Sequence, residues 1–269
     1  MIYIKKADMI ILSFLSWLMI PILPICAGIP LYWWEPENQM TNFGDTLSIV
    51  LIERMMGKEI KKAALSEHKL LAIGSILQFA KNGDVVWGSG INGKHGATKD
   101  YPFNHLDIRC VRGPLTRLFL KIHGIDAPKI YGDPALLFPL FFPEFKKNPI
   151  RDFLVIPHIS EMHLFRQGPN VVFPTEPWNV IIQKIVESKF VISSSLHGII
   201  VAEAFNIPSR FLRVTENEPL FKYADYYFGT GRPNYKYARS VSEALKMKGE
   251  PLPVCDLQKI LSAFPRELL

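Results

Sequence analysis

Apolar and polar positions follow two rhythms along this chain, and the rhythm switches often. Short apolar runs bounded by turn residues, at 31–34, 70–74, 85–88 and 106–111, read as buried strands, with a briefer one at 129–131. Between them, 45–56 carries Leu47, Val50, Leu51 and Arg54 at helical spacing, and 114–123 opens on a proline and stops at Gly124, the grammar of a helix. The second half repeats the scheme. Strands are expected at 153–157, 171–173, 190–193 and 210–214, and helices at 178–188, 197–205, 241–248 and 257–264. Pro, Lys and Asn cluster in "FFPEFKKNPIRD", residues 141–152, between the two series. Alternating strands and helices imply parallel sheets covered on both faces. The expected fold is therefore α/β, with two Rossmann-like lobes at 31–148 and 149–269.

Ahead of them lies an apolar stretch. Residues 9–34 hold no charge, Lys5 and Lys6 precede them, and 9–27 as a helix would reach roughly 28 Å. Pro21 and Pro24 interrupt its second half. Residues 1–30 are expected to be a hydrophobic, membrane-associated segment; a single-pass anchor, a cleaved signal or a later start at Met9 or Met19 are the alternatives.

The rest of the composition is that of a globular chain: 269 residues, 48% hydrophobic and 21% charged. A net charge of +6, with no basic run interleaved with aromatics, suits an anionic substrate or an acidic membrane surface better than nucleic acid. Cys26, Cys110 and Cys255 are too few and too scattered for a disulfide framework or a zinc site, and no H-E-x-x-H occurs, so no metal is expected.

Ligands of open α/β sheets bind outside the carboxyl ends of the strands, where helix N-termini point. Several polar turns fall there. "NFGD" offers Asn42 and Asp45, although an Asp at that place equally caps a helix. "WGSGINGK" offers Gly88, Ser89 and Gly90 for close backbone approach, without forming G-x-G-x-x-G at a helix start. In "RCVRGP", Arg112 stands between strand and helix, where its fork can meet a carboxylate or phosphate, or simply pair with a surface acid. "SSSLHG" supplies Ser193, Ser194 and Ser195, then His197 and Gly198 at a helix start. "YGDP", residues 131–134, reads as a turn closing the first lobe, and His158 sits at another strand end.

These stretches recur together. "LYWWEPENQMTNFGDTLS", "GDVVWGSGINGK", "DIRCVRGPLTR", "YGDPALLFP" and "FVISSSLHGIIVAEAFNIPS" stand in the order found in the polysaccharide pyruvyl transferases, the xanthan-type ketal pyruvate transferases above all, which the chain resembles from about residue 31 to 265. The resemblance implies a GT-B-like fold and transfer of the pyruvyl unit of phosphoenolpyruvate onto two hydroxyls of a sugar in an exopolysaccharide or capsule repeat unit. It implies no cofactor beyond phosphoenolpyruvate as co-substrate, a polyprenyl-linked oligosaccharide acceptor, and work at the cytoplasmic face of a bacterial inner membrane. His197 and Arg112 are then the catalytic candidates, as proton donor and anion-binding fork. Asn42, Asp45, Gly88, Ser89, Gly90, Ser193, Ser194, Ser195, Gly198 and Arg210 are the substrate-binding candidates.

One departure stands out. The family often carries Arg two residues before the His, where this chain has Ser195; Arg210 or Arg213 are the expected substitutes. Two rival readings follow: a GT-B nucleotide-sugar glycosyltransferase, and a non-catalytic member of a polysaccharide assembly complex. "GIIVAEAFNIP" resembles the acidic helix of the former, but neither Ser195 nor Leu196 supplies the second acid such enzymes place seven or eight residues ahead of Glu203, which is expected to pair structurally instead.

Overall fold

The computed structural model describes residues 28, 30–36, 40–94 and 100–268, so the apolar segment expected at 1–30 lies almost wholly outside the described residues. Two parallel four-stranded sheets organise the chain, in the orders β1-β2-β3-β4 and β5-β6-β7-β8. The first comprises β1 (Leu31–Tyr32), β2 (Leu70–Leu71), β3 (Val85–Trp87) and β4 (Asp107–Cys110). The second comprises β5 (Leu154–Ile156), β6 (Val191–Ser193), β7 (Ser209–Leu212) and β8 (Tyr237–Ala238). Nearly every strand residue is buried, as the unbroken apolar runs require of sheets covered on both faces.

The helices in order are α1 (Phe43–Met56), α2 (Pro114–Ile122), α3 (Phe138–Phe141), α4 (Trp178–Val186), α5 (Leu196–Ala204), α6 (Phe221–Gly229), α7 (Val241–Met247) and α8 (Leu257–Ser262). Local chemistry sets their ends. Asp45 lies in the first turn of α1 and Arg54 in the last, and Gly57 closes the helix in the left-handed region at φ 65°. Pro114 starts α2, and Asp256 caps α8 by accepting from the Lys259 N–H at 3.1 Å.

Three expectations from the sequence change. Residues 129–131 and 171–173 do not form strands; each contributes a single parallel bridge, Val111 to Tyr131 and Val155 to Val171. Helix α6 and strand β8 had not been expected: five aromatics in "FKYADYYFG" hide the helical period. The apolar stretch 134–141 is a 3-10 turn, Pro134–Leu137, running into α3.

One hydrophobic core joins the sheets. It runs from Leu31, Leu47 and Trp87 through Phe138 to Ile156, Ile199 and Tyr226. Helix α5 lies at its centre, buried on almost every side between β6, β7 and α4 in its own half and α1, α3 and the Pro134–Leu137 turn of the other. The last helix crosses back. Trp87 Nε1 donates to the Ile260 carbonyl at 2.8 Å and its ring packs on Phe264, so α8 closes the first sheet from the far end of the chain. Among the described residues no helix is long and apolar enough to cross a membrane.

Candidate active site

The carboxyl ends of both sheets face a cavity of about 440 Å³. From the first half it is lined by Trp34 after β1, Asn42 and Asp45 at the start of α1, Ser75, Ile76, Gln78 and Phe79 after β2, and Asn92 and Lys94 after β3. From the second half come His158 and Ser160 after β5, Ser195 to His197 after β6, and Glu218 and Lys222. Four of the candidates named from sequence therefore meet here: Asn42, Asp45, Ser195 and His197.

His197 occupies the first turn of α5, so helix geometry brings its ring to the cleft beside the free N–H groups of that terminus. Across the cleft, Asp45 accepts a hydrogen bond from Asn42 Nδ2. Burial pushes the Asp45 carboxyl up to about 6, even though His197, Asn42 and Lys222 all favour its charged form. His197 Nε2 lies 3.5 Å from Asp133 Oδ2, the acid of "YGDP".

A second group of charges fills the other end. Glu218 stands between Lys222 at 2.5 Å and Lys94 at 2.6 Å. Burial opposes its charge, but Lys222 and His158 prevail, and Lys94 adds a hydrogen bond, holding it down at about 2. Burial, then the Lys222 charge, pulls His158 down to about 3, so it is neutral at physiological pH. Lys222 Nζ sits 3.3 Å from His158 Nε2 and Ser160 Oγ 2.7 Å from Nδ1. Nδ1 also accepts from the Ser160 N–H at 3.3 Å.

The remaining candidates do not face the cleft. Arg112 is 1% exposed, and its fork is fully engaged: Nε donates to Asp225 Oδ2 at 3.1 Å, Nη1 to Ser75 Oγ at 2.5 Å and Nη2 to the Ile91 carbonyl at 2.6 Å. It reaches the cavity only through Ser75. Gly88 takes a φ of +90° and packs on the Pro134 ring, Ser89 is buried and donates to the Gly74 carbonyl, and a Cβ on Gly90 would stand 2.5 Å from Arg112 Cζ. These residues shape the shell behind the site.

The serine knot is internal too. Ser193 Oγ lies 2.7 Å from the Ile156 carbonyl and accepts from the Ser195 N–H at 3.0 Å. Gly198 presses on that same hydroxyl. Ser194 Oγ accepts from the His158 N–H, and its carbonyl accepts from the Tyr223 hydroxyl. The knot thus fastens the end of β6 to β5 and α6, leaving Ser195 at the cavity. Arg210 serves the sheet edge: it donates to the Lys248 and Lys236 carbonyls and pairs with Glu250. Arg213 pairs with Glu216 and does not line the cavity.

Sequence reasoning missed Lys94, Glu218, Lys222 and Ser75. Glu218 and Lys222 flank the start of α6, whose aromatic sequence gave no helical signal. His158 was visible, since it directly follows a strand. Glu203 is buried in a bidentate pair with Arg232, both contacts at 2.8 Å, and also meets Ser209 and Tyr226, as its expected structural role requires.

A succinoglycan biosynthesis protein, ExoV, of Rhizobium meliloti (strain 1021) is 29% identical over 213 residues, 73% of this chain and 63% of that protein. The chain thus spans less than two thirds of that relative's length. An uncharacterized protein of Acanthamoeba polyphaga mimivirus is 27% identical over 217 residues, 73% of this chain and 74% of its own. Among solved structures, a functionally uncharacterized protein of Klebsiella pneumoniae subsp. pneumoniae NTUH-K2044 aligns over 80% of this chain and 94% of its own, at a TM-score of 0.45 and 12% identity, too distant to carry an argument. The family model described as polysaccharide pyruvyl transferase matches residues 60–216, more than half of the chain, taking in Asp133, the serine knot and His197. The chain belongs to the polysaccharide pyruvyl transferase family.

Proposed function

We propose that the protein transfers the pyruvyl unit of phosphoenolpyruvate onto two hydroxyls of a sugar within a bacterial polysaccharide repeat unit, releasing phosphate. Given the family, the observation that carries this reading is one cleft in which an α5 first-turn histidine and a carboxyl titrating near 6 lie opposite two lysines. The reaction needs a proton on the methylene carbon, which turns C2 into an electrophile. Two sugar oxygens then form bonds to C2 as the C2–O(phosphate) bond breaks. Of the two hydroxyl protons lost, one balances that delivered to carbon and the other leaves on phosphate.

His197 and Asp45 are the groups placed to move these protons, His197 because its ring lines the cavity, Asp45 because burial brings its carboxyl up to about 6. Lys94, Lys222, Ser195 and the free N–H groups at the start of α5 would receive the donor's carboxylate and phosphate. This lysine pair takes over the work that the sequence had led us to give Arg112 and Arg210. Trp34 and Phe79 would form an apolar wall for the sugar, with the Gln78 and Asn92 amides beside it. The two sheets facing across this cleft suit a GT-B-like arrangement. Because phosphoenolpyruvate is a cytosolic metabolite, the lobes would work at the inner face of the membrane, near a polyprenyl-linked acceptor.

The test is phosphate release from phosphoenolpyruvate by the purified chain with lipid-linked oligosaccharides extracted from the host membrane. His197→Ala is expected to lower the rate by about two to four orders of magnitude while leaving the melting temperature nearly unchanged. Near-native turnover by that variant would remove His197 from the chemistry. Donor binding without phosphate release would instead favour a non-catalytic member of an assembly complex.

A further inference from the structure

Two features around His197 are not explained by its meeting a substrate. The first is Gly44, the second residue of α1. Its backbone is ordinary helix, so no positive φ calls for glycine there, and glycine is among the poorest helix formers. What the position lacks is room: a Cβ would stand 2.8 Å from His197 Cγ and closer still to Nδ1. The second is Asp133. Its Oδ1 caps the following turn by accepting from the Ala135 N–H at 2.9 Å, while its Oδ2 is buried with no hydrogen-bond partner. His197 Nε2 is likewise buried and unpartnered, and these two atoms lie 3.5 Å apart. Two buried polar groups left open toward each other are costly unless they pair, and contacts of this kind are often long before a substrate binds.

We propose that Gly44 and Asp133 are positioning residues that aim His197: Asp133 fixes the ring proton on Nε2, and Gly44 leaves Nδ1 as the nitrogen that exchanges a proton with the substrate. A carboxylate can only accept, so the nitrogen facing it must carry hydrogen. Nε2 is shut away against Asp133, which leaves the Nδ1 edge, lying against Gly44, with the ring nitrogen still able to exchange a proton. Gly44 lets the ring sit in this orientation, because a Cβ there would displace it. The inference rests on the transfer reaction proposed above for its kinetic consequences, but not for its geometry.

The experiment uses the full chain labelled with 15N-histidine. The native His197 ring should show the Nε2–H tautomer. Asp133→Asn keeps the oxygen that caps Ala135 but offers an N–H to Nε2, so it should invert the tautomer to Nδ1–H without lowering the melting temperature. With phosphoenolpyruvate and the extracted lipid-linked oligosaccharides, its kcat should fall on the order of 100-fold while KM for the donor stays near native. Gly44→Ala gains helix propensity but crowds the ring, so it should stay folded with a modestly lowered melting temperature and lose kcat to a similar degree through displacement of the ring. A native ring in the Nδ1–H form overturns the proposal, as does native kcat in both variants. If the native chain releases no phosphate at all, the function reading fails, and the tautomers of the native chain and Asp133→Asn still decide the positioning.

Discussion

Asp45 carries a cost that the protein bears for its site. Its carboxyl titrates near 3.8 in the unfolded chain and near 6 when folded, with burial as the main cause. The folded state therefore holds the proton more tightly. The stability this brings is complete below about pH 3.8 and is lost as pH rises through 6. Asp45→Asn removes the charge that burial opposes, and should raise stability by about 3 kcal/mol at pH 8 with no gain at pH 3.5. Chemical denaturation at the two pH values checks this; equal gains at both would contradict the buried-charge account. His158 titrates with the opposite sign: its ring is held neutral down to about 3, so stability falls as pH drops from 6.5 toward 3.

At this same scale, His197, Asp45 and Asn42 were legible because each opens or precedes a helix at a strand's carboxyl edge. Arg112 has that address too and was misplaced, because its partner Asp225 is 113 residues away and no local pattern announces it. The serines were misplaced because hydroxyls that tie backbone together look, in sequence, like hydroxyls awaiting a ligand.

Among the elements, the junction of α2 and α6 ties the two halves together through buried polar groups. Asp225 on α6 accepts from the Thr116 N–H at 2.9 Å and from its hydroxyl at 2.7 Å, besides pairing with Arg112. A Cβ on Gly113 would come within 2.6 Å of the Asp225 carbonyl carbon, so only glycine lets the start of α2 approach this closely. Asp225→Ala should strand a buried guanidinium and cost about 3–5 kcal/mol, read as a lowered denaturation midpoint. Replacing both Arg112 and Asp225 with apolar residues of similar volume should cost less than Asp225→Ala alone. Elements with a clean amphipathic period or a proline start, such as α2 and α4, were read from sequence to within a residue or two. Helix α6 was not, since an aromatic run serves a strand as well as a helix and only its tertiary partners decide.

On the scale of the whole molecule, alternation of strands and helices made two parallel sheets legible. It did not reveal that they share a core, because side chains from both halves contribute to one cluster and α8 returns to the first sheet. A chain of two independent lobes would unfold in two steps; this one should give a single calorimetric transition. Removing residues 256–269 uncovers Trp87, and its fluorescence should shift to longer wavelength while the midpoint falls.

The seam through Gly113 has one further consequence. Gly229 also lies against it, a Cβ there falling 2.6 Å from the Arg112 carbonyl oxygen, so the backbones of α2 and α6 touch almost directly behind the cleft. Halves joined in this way form a jig rather than a jaw, and cannot shut over a bound donor to keep bulk water out. In the proposed transfer, exclusion of water falls to the sugar itself. Without an acceptor, phosphoenolpyruvate held in the cleft should leak slowly to free pyruvate and phosphate, and added sugar should suppress free pyruvate while phosphate release rises. Following both products in one reaction measures how far the acceptor, arriving late, serves as the lid of the site it enters.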